Sequence, residues 1–262
     1  MHQAAVGFHC PECVKRGRQK VYQGVASIRT RPVLTQVLIA VNVAVFLLGL
    51  VMTGADALAQ RTELHIDFGL TAATHYTASP DGGLALTGGV GHGEWYRMIT
   101  SGFLHYGIFH LAVNMYALWI LGRVVEHMGG RLRFGLVYVA SILGGALGAL
   151  LLDPGSLTAG ASGGIFGLMG AIFLAQRAQG VAFRDSPLLM ILVLNLFITF
   201  TLPGISVGGH LGGLVAGGIS GWLLFDIGLK RSIDKRLPIA SVAVLAVSCL
   251  VGGVLVANTW MP

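Results

Sequence analysis

The sequence predicts an all-α polytopic membrane protein, and three observations carry that expectation. Apolar runs of 18 or more residues recur along the 262-residue chain, which is the length a helix needs to cross a bilayer. Hydrophobic residues make up 54% of the chain and charged ones only 11%, well below the roughly 25% charged that is usual in soluble domains. The 39 glycines would be costly in a soluble helical protein. In a membrane they let helix backbones pack closely, so they point to a tight bundle.

Seven spanning helices are expected, near residues 33–54, 105–122, 132–152, 162–177, 187–203, 209–228 and 238–258. The first run begins near residue 33, is too long for the apolar region of a signal peptide and follows a basic segment, so no signal peptide is expected. The long stretch 55–104 after it carries Gly, Thr, Asp and His, with no apolar run long enough to span.

Lysine and arginine then orient the helices. The N-terminal segment and the loops after the second, fourth and sixth helices hold 15 of the 17 basic residues, leaving only Arg61 and Arg97 on the other side. By the positive-inside rule the N-terminus is cytoplasmic and the C-terminus lies outside. The net charge of +6 is therefore topological, and nucleic-acid binding is not expected. In this orientation the second, fourth and sixth helices all run inward from the outer surface. Their first residues, His105, His110 and Asn114, then Ser162, then His210, share one depth.

Ser162 lies in Gly160-Ala161-Ser162-Gly163 at the start of the fourth helix. A lone membrane serine is ordinarily a packing residue or an N-cap. Here a helix N-terminus adds free N–H groups and positive dipole character suited to an oxyanion, and the small neighbours leave room for another backbone. A histidine in hydrocarbon needs a partner, and His210 opens the sixth helix just ahead of Gly213, Gly217 and Gly221. The fourth helix offers Gly163, Gly167, Ala171 and Ala175 at the same four-residue spacing. Two such stripes pack closely and set Ser162 and His210 at the top of one seam, as nucleophile and general base. The carboxylate of Asp226 lies at the other end of the sixth helix, so a Ser–His dyad is expected rather than a triad. His110 and Asn114 are four apart on one helix face and are candidate oxyanion donors. Trp95 and Arg97, just before the second helix, read first as an interfacial anchor.

Of the three cysteines, Cys249 lies in an apolar run and reads as packing. Cys10 and Cys13 form a C-x-x-C that supplies half of a zinc site, with only His2 and His9 nearby to add to it. A cytoplasmic location argues against a disulfide there. Serine–histidine chemistry needs no metal or organic cofactor, and the one candidate metal is zinc at Cys10 and Cys13.

Together these residues resemble the rhomboid family of intramembrane serine proteases over roughly residues 33–228. The family's G-x-S-G is matched by Gly160 to Gly163, and its histidine with trailing glycines by His210, Gly213 and Gly217. The spaced His, His and Asn of its second helix are matched by His105, His110 and Asn114. Its Trp-x-Arg stretch is matched by Trp95 and Arg97, and its acidic residue after the second helix by Glu126. The resemblance implies Ser162 as nucleophile, His210 as base, His110 and Asn114 at the oxyanion hole, and a 55–104 loop partly in the outer leaflet. Many members carry tyrosine beneath the catalytic histidine, where this chain has Phe166. That keeps the aromatic packing without the hydroxyl.

The resemblance also implies a rhomboid-like six-helix core, 33–228, with the loop and one extra C-terminal helix in 229–262. Gly7 to Cys13, within the cytoplasmic segment 1–32, resembles the end of a bacterial zinc-ribbon extension whose first cysteine pair is missing here. The expected partners are single-pass transmembrane substrates and lipid, and the expected location is the bacterial plasma membrane. A non-proteolytic scaffold for transmembrane clients would be marked by loss of Ser162 or His210, and both are present. A transporter would show internal repeats and charges along a pathway, and neither is seen.

Overall fold

The computed structural model describes residues 2–3, 8–9, 31–58, 61–73, 75–78, 84–186, 188–230 and 232–260. It divides into two units, Met1–Arg31 and Pro32–Pro262. In the first, His2–Gln3 and Phe8–His9 pair as antiparallel strands. Cys10, Cys13 and the basic cluster that follows lie outside the described residues.

The second unit contains the seven expected helices. They are labelled α1 (Val33–Thr53), α2 (107–129), α3 (131–152), α4 (Ser162–Ala178), α5 (Leu188–Thr201), α6 (Val207–Gly221) and α7 (Arg236–Asn258). The Gly107–Leu152 stretch turns at Gly130, whose φ of 72° and ψ of 176° break the helix. That left-handed φ suits glycine. α1, the α2–α3 stretch, α6 with its continuation to Leu229, and α7 are long and apolar enough to span a membrane. α6 runs on through a π turn, Trp222–Asp226, and a short 3₁₀ segment, Ile227–Leu229.

Two boundaries differ from the sequence expectation. His105 precedes α2 instead of lying on it, because the helix starts after Tyr106, whose backbone is extended. α2 also continues past residue 122 to the break at Gly130, and Arg123 lies over the Trp119 ring at 4.7 Å within it. Glu126 is therefore within α2, not after it, and is buried. Its carboxylate accepts Leu34 N–H and Thr35 N–H, both at 2.9 Å, and Thr35 Oγ1–H at 2.8 Å. It serves as the N-terminal cap that Pro32 cannot supply to α1.

α4 is the interior helix. Eleven of its 17 residues are buried, whereas α5 buries only Leu192 and Thr199. Small residues set the packing around α4. A Cβ on Gly213, Gly217 or Gly221 of α6 would meet the backbone of Gly163, Gly167 or Ala171 of α4. A second close seam, not foreseen from the sequence, joins α6 to α3: Gly208 faces Gly148, and Gly212 faces Gly144. With no water to expel between helices, dispersion across such close backbones is the main attraction. α7 packs on α3, with Cys249 and Ala257 buried against the cluster around Leu143, Ala146 and Leu150.

Among the described residues, the segment between α1 and α2 holds short elements only, including the helix Glu63–Phe68 and an antiparallel hairpin, His75–Ala78 with Leu84–Thr87. The hairpin is an addition to the all-helical expectation. The segment is stitched to the chain before α4 by Leu70 and Thr158, whose N–H groups donate to each other's carbonyls at 2.9 and 2.8 Å.

Candidate active site

The two glycine seams bring the N-terminal ends of α4 and α6 together. Ser162 is the first residue of α4, His210 is in the first turn of α6, and His210 Nε2 lies 2.8 Å from Ser162 Oγ. Phe166, one turn further along α4, stacks on the His210 ring with centroids 4.1 Å apart and planes 17° apart. Gly163 belongs to the seam, since a Cβ there would meet Gly209 O at 3.3 Å and Gly145 Cα at 3.6 Å. The geometry is that of a hydroxyl hydrogen-bonded to an imidazole, the arrangement of a nucleophile and its base.

Gly160 shapes the approach to Ser162. Its φ of 136° favours glycine, and a Cβ would meet His110 Cε1 at 2.9 Å and Nε2 at 3.0 Å. Its N–H donates to Ser101 O at 2.9 Å, tying the turn before α4 to the segment before α2. The Nε2 edge of His110 thus faces the turn that carries Ser162. His110 Nδ1 accepts Tyr106 N–H at 3.3 Å, so in the neutral ring Nε2 carries the proton and is a donor. Asn114 Nδ2 donates one hydrogen to His110 O at 2.9 Å, leaving its second amide hydrogen for the site. The first N–H groups of α4 have no intrahelical acceptor. Ser162, His210, His110 and Asn114 all line one cavity of about 520 Å³.

His105 is buried. It meets His110 edge-to-face with centroids 5.1 Å apart, and its Nε2 accepts Ala161 N–H at a long 3.5 Å. It supports the turn before Ser162 from behind.

Arg97 corrects the anchoring expectation. It is 2% exposed, and its Nη1 donates to Ile66 O at 2.6 Å and Gly69 O at 3.0 Å, while Nε pairs with Glu94 at 2.7 Å. It clamps the loop backbone instead of reaching for lipid headgroups. Trp95 beside it is half exposed. Burial alone would raise the Glu94 carboxyl pKa. The hydrogen bonds from Gly89 N–H and Arg97 outweigh that and hold it below the usual carboxylate range.

Sequence reasoning missed Thr199. This α5 hydroxyl is 2% exposed and stands 2.7 Å from His210 Nδ1, where a triad would place its acid. The only signal was a polar residue four positions after Asn195 in an apolar run. Among the described residues, no group of three or more His, Cys, Asp or Glu is arranged to hold a metal ion.

The family model for the Rhomboid domain matches residues 92–227, just over half of the chain. The chain belongs to the rhomboid family. Every residue of the site, from Trp95 to His210, falls inside the matched rhomboid segment. Rhomboid protease GluP of Bacillus subtilis is 39% identical over 131 residues, which cover 49% of this chain and 26% of that protein. RHOMBOID-like protein 5 of Arabidopsis thaliana is 37% identical over 142 residues, covering 52% of this chain and 46% of its own. The putative rhomboid protease YdcA of Bacillus subtilis is 35% identical over 133 residues, covering 49% and 67%. The chain thus spans between a quarter and half the length of the first two relatives.

Proposed function

We propose that this rhomboid is an intramembrane serine endopeptidase that cuts single-pass transmembrane proteins near the outer leaflet, using Ser162 and His210. The observation that carries the reading is the 2.8 Å contact between Ser162 Oγ and His210 Nε2 at the wall of a 520 Å³ cavity. A substrate helix hides its carbonyls in its own hydrogen bonds, so the segment to be cut must unwind to enter the cavity.

Ser162 Oγ attacks the exposed carbonyl carbon while His210 Nε2 takes the hydroxyl proton. The carbonyl oxygen becomes an oxyanion within reach of His110 Nε2–H, Asn114 Nδ2–H and the Ser162 N–H. Collapse breaks the C–N bond, and His210 returns the proton to the departing amine. Water then attacks the acyl-enzyme ester through the same base and frees Ser162. Phe166 keeps the imidazole in plane through this cycle.

The charge distribution supports a cytoplasmic N-terminus and a C-terminus outside, and the family resemblance supports a bacterial plasma membrane as the location. Residues 33–228 form the protease core, with α7 appended and lipid around both. The test is cleavage of a single-pass reporter by the reconstituted protein, with the cut located by mass spectrometry. The reading expects one cut in the outer half of the reporter helix, abolished by Ser162→Ala. Cleavage that continues in Ser162→Ala would overturn it.

A further inference from the structure

We infer that Thr199 is a positioning residue that fixes the tautomer of His210, so that Nε2 presents a lone pair and not a proton to Ser162. The inference rests on the reading of Ser162 and His210 as nucleophile and base, and adds the group that orients the base. A threonine hydroxyl has one proton and two acceptor lone pairs. Thr199 Oγ1 lies 2.7 Å from Asn195 O, one helical turn back, and 2.7 Å from His210 Nδ1. The carbonyl can only accept, so the Thr199 proton goes to Asn195 O, the usual back-bond of a buried helical threonine. Towards His210 the hydroxyl then has only a lone pair to offer. Nδ1 must be the donor, and in a neutral ring Nε2 is left unprotonated.

That tautomer is the one the 2.8 Å contact with Ser162 Oγ needs. The opposite tautomer would set Nδ1 as a second acceptor against the Thr199 oxygen and turn an N–H toward Ser162. The stack on Phe166 sets the plane of the ring but does not distinguish its two nitrogens. Thr199 does, and at 2% exposure no bulk water replaces it. A buried carboxylate would orient the imidazole more strongly but would cost much more to hold in an apolar helix. A hydroxyl pinned to its own helix gives the same direction without a charge.

The experiment combines the tautomer with the rate. Protein labelled with ¹⁵N-histidine is reconstituted in lipid, and the His210 nitrogens are assigned by comparison with His210→Gln and by one-bond correlation to Cγ, which separates Nδ1 from Nε2. Above neutral pH the wild type is expected to show a protonated Nδ1 and an unprotonated Nε2. In Thr199→Val the two tautomers mix, and the rate constant for fluorophosphonate labelling falls by about 10-fold to 100-fold, the range for one unmade buried hydrogen bond. Thr199→Ser restores the tautomer and most of the rate. A wild-type His210 with its proton on Nε2 overturns the proposal, and so does a folded Thr199→Val that labels at the wild-type rate. If Ser162→Ala still takes the probe, the nucleophile reading fails on its own, while the wild-type tautomer continues to decide the role of Thr199.

Discussion

The packing of α6 on α4 makes Gly213→Ala the sharpest perturbation of the site that leaves every polar group in place. The new methyl would stand 2.7 Å from the carbonyl carbon of Gly163 and 2.9 Å from its Cα, against 3.4 Å for ordinary contact. The carbonyl oxygen is nearer still. The seam must therefore open by about 1 Å or more to clear that oxygen, and all three atoms are backbone, which cannot rotate aside. Overpacking of this kind costs roughly 1–3 kcal/mol of stability. Gly163 adjoins Ser162 and Gly213 lies one turn beyond His210, so the same opening stretches the 2.8 Å Ser162–His210 contact. With displacements near 1 Å costing about 100-fold, the fluorophosphonate labelling rate should fall by roughly 10-fold to 100-fold. Gly218→Ala is the internal control. Its methyl would meet only Leu174 Cδ1, at 3.9 Å, and alanine is the better helix former by up to about 1 kcal/mol. Labelling rate and thermal unfolding in one detergent compare the pair. Equal rates for Gly213→Ala and wild type would refute the claim that the glycine seam sets the geometry of the site.

Three further predictions concern the scaffold. Arg97→Ala leaves Ile66 O, Gly69 O and the Glu94 carboxylate without their partner, and should destabilise the protein by about 2–4 kcal/mol; limited proteolysis of the 55–104 segment and the melting temperature read it. Because the folded Glu94 pKa is depressed, its stabilisation is complete above the ordinary carboxylate range. It is lost as pH falls through the lower folded value, so the melting temperature on the acid side should depend less on pH in Glu94→Gln. Glu126→Ala removes three hydrogen bonds from the start of α1. It should cost about 1–3 kcal/mol, seen as faster hydrogen exchange at Leu34 and Thr35, with the pairing of Ser162 and His210 unaffected.

How legible each feature was in the sequence follows from the range of the interaction behind it. The facing stripes of α4 and α6 were readable because a four-residue repeat is a local pattern, and the structure pairs Gly163 with Gly213 and Gly167 with Gly217. The second seam was not read, since Gly144, Gly148, Gly208 and Gly212 sit among so many other glycines that no single stripe stands out. Arg97 read as an anchor because, beside Glu94, two of its partners are carbonyls 28 and 31 residues away, which no spacing rule reaches. Arg123 looked like a loop residue because it is charged, yet it lies within α2, over Trp119 one turn back. Thr199 was hidden for a different reason. A hydroxyl in an apolar helix is already satisfied by its own backbone, so nothing local reveals that its lone pair serves another helix.

The proposed protease activity stands or falls with Ser162 as a nucleophile activated by His210. Labelling of the purified protein with a fluorophosphonate, followed by mass spectrometry of the modified peptide, tests it most directly. One adduct is expected, on Ser162, absent from Ser162→Ala and strongly slowed in His210→Ala. Stoichiometric labelling that survives Ser162→Ala, or an adduct on another residue, would contradict it.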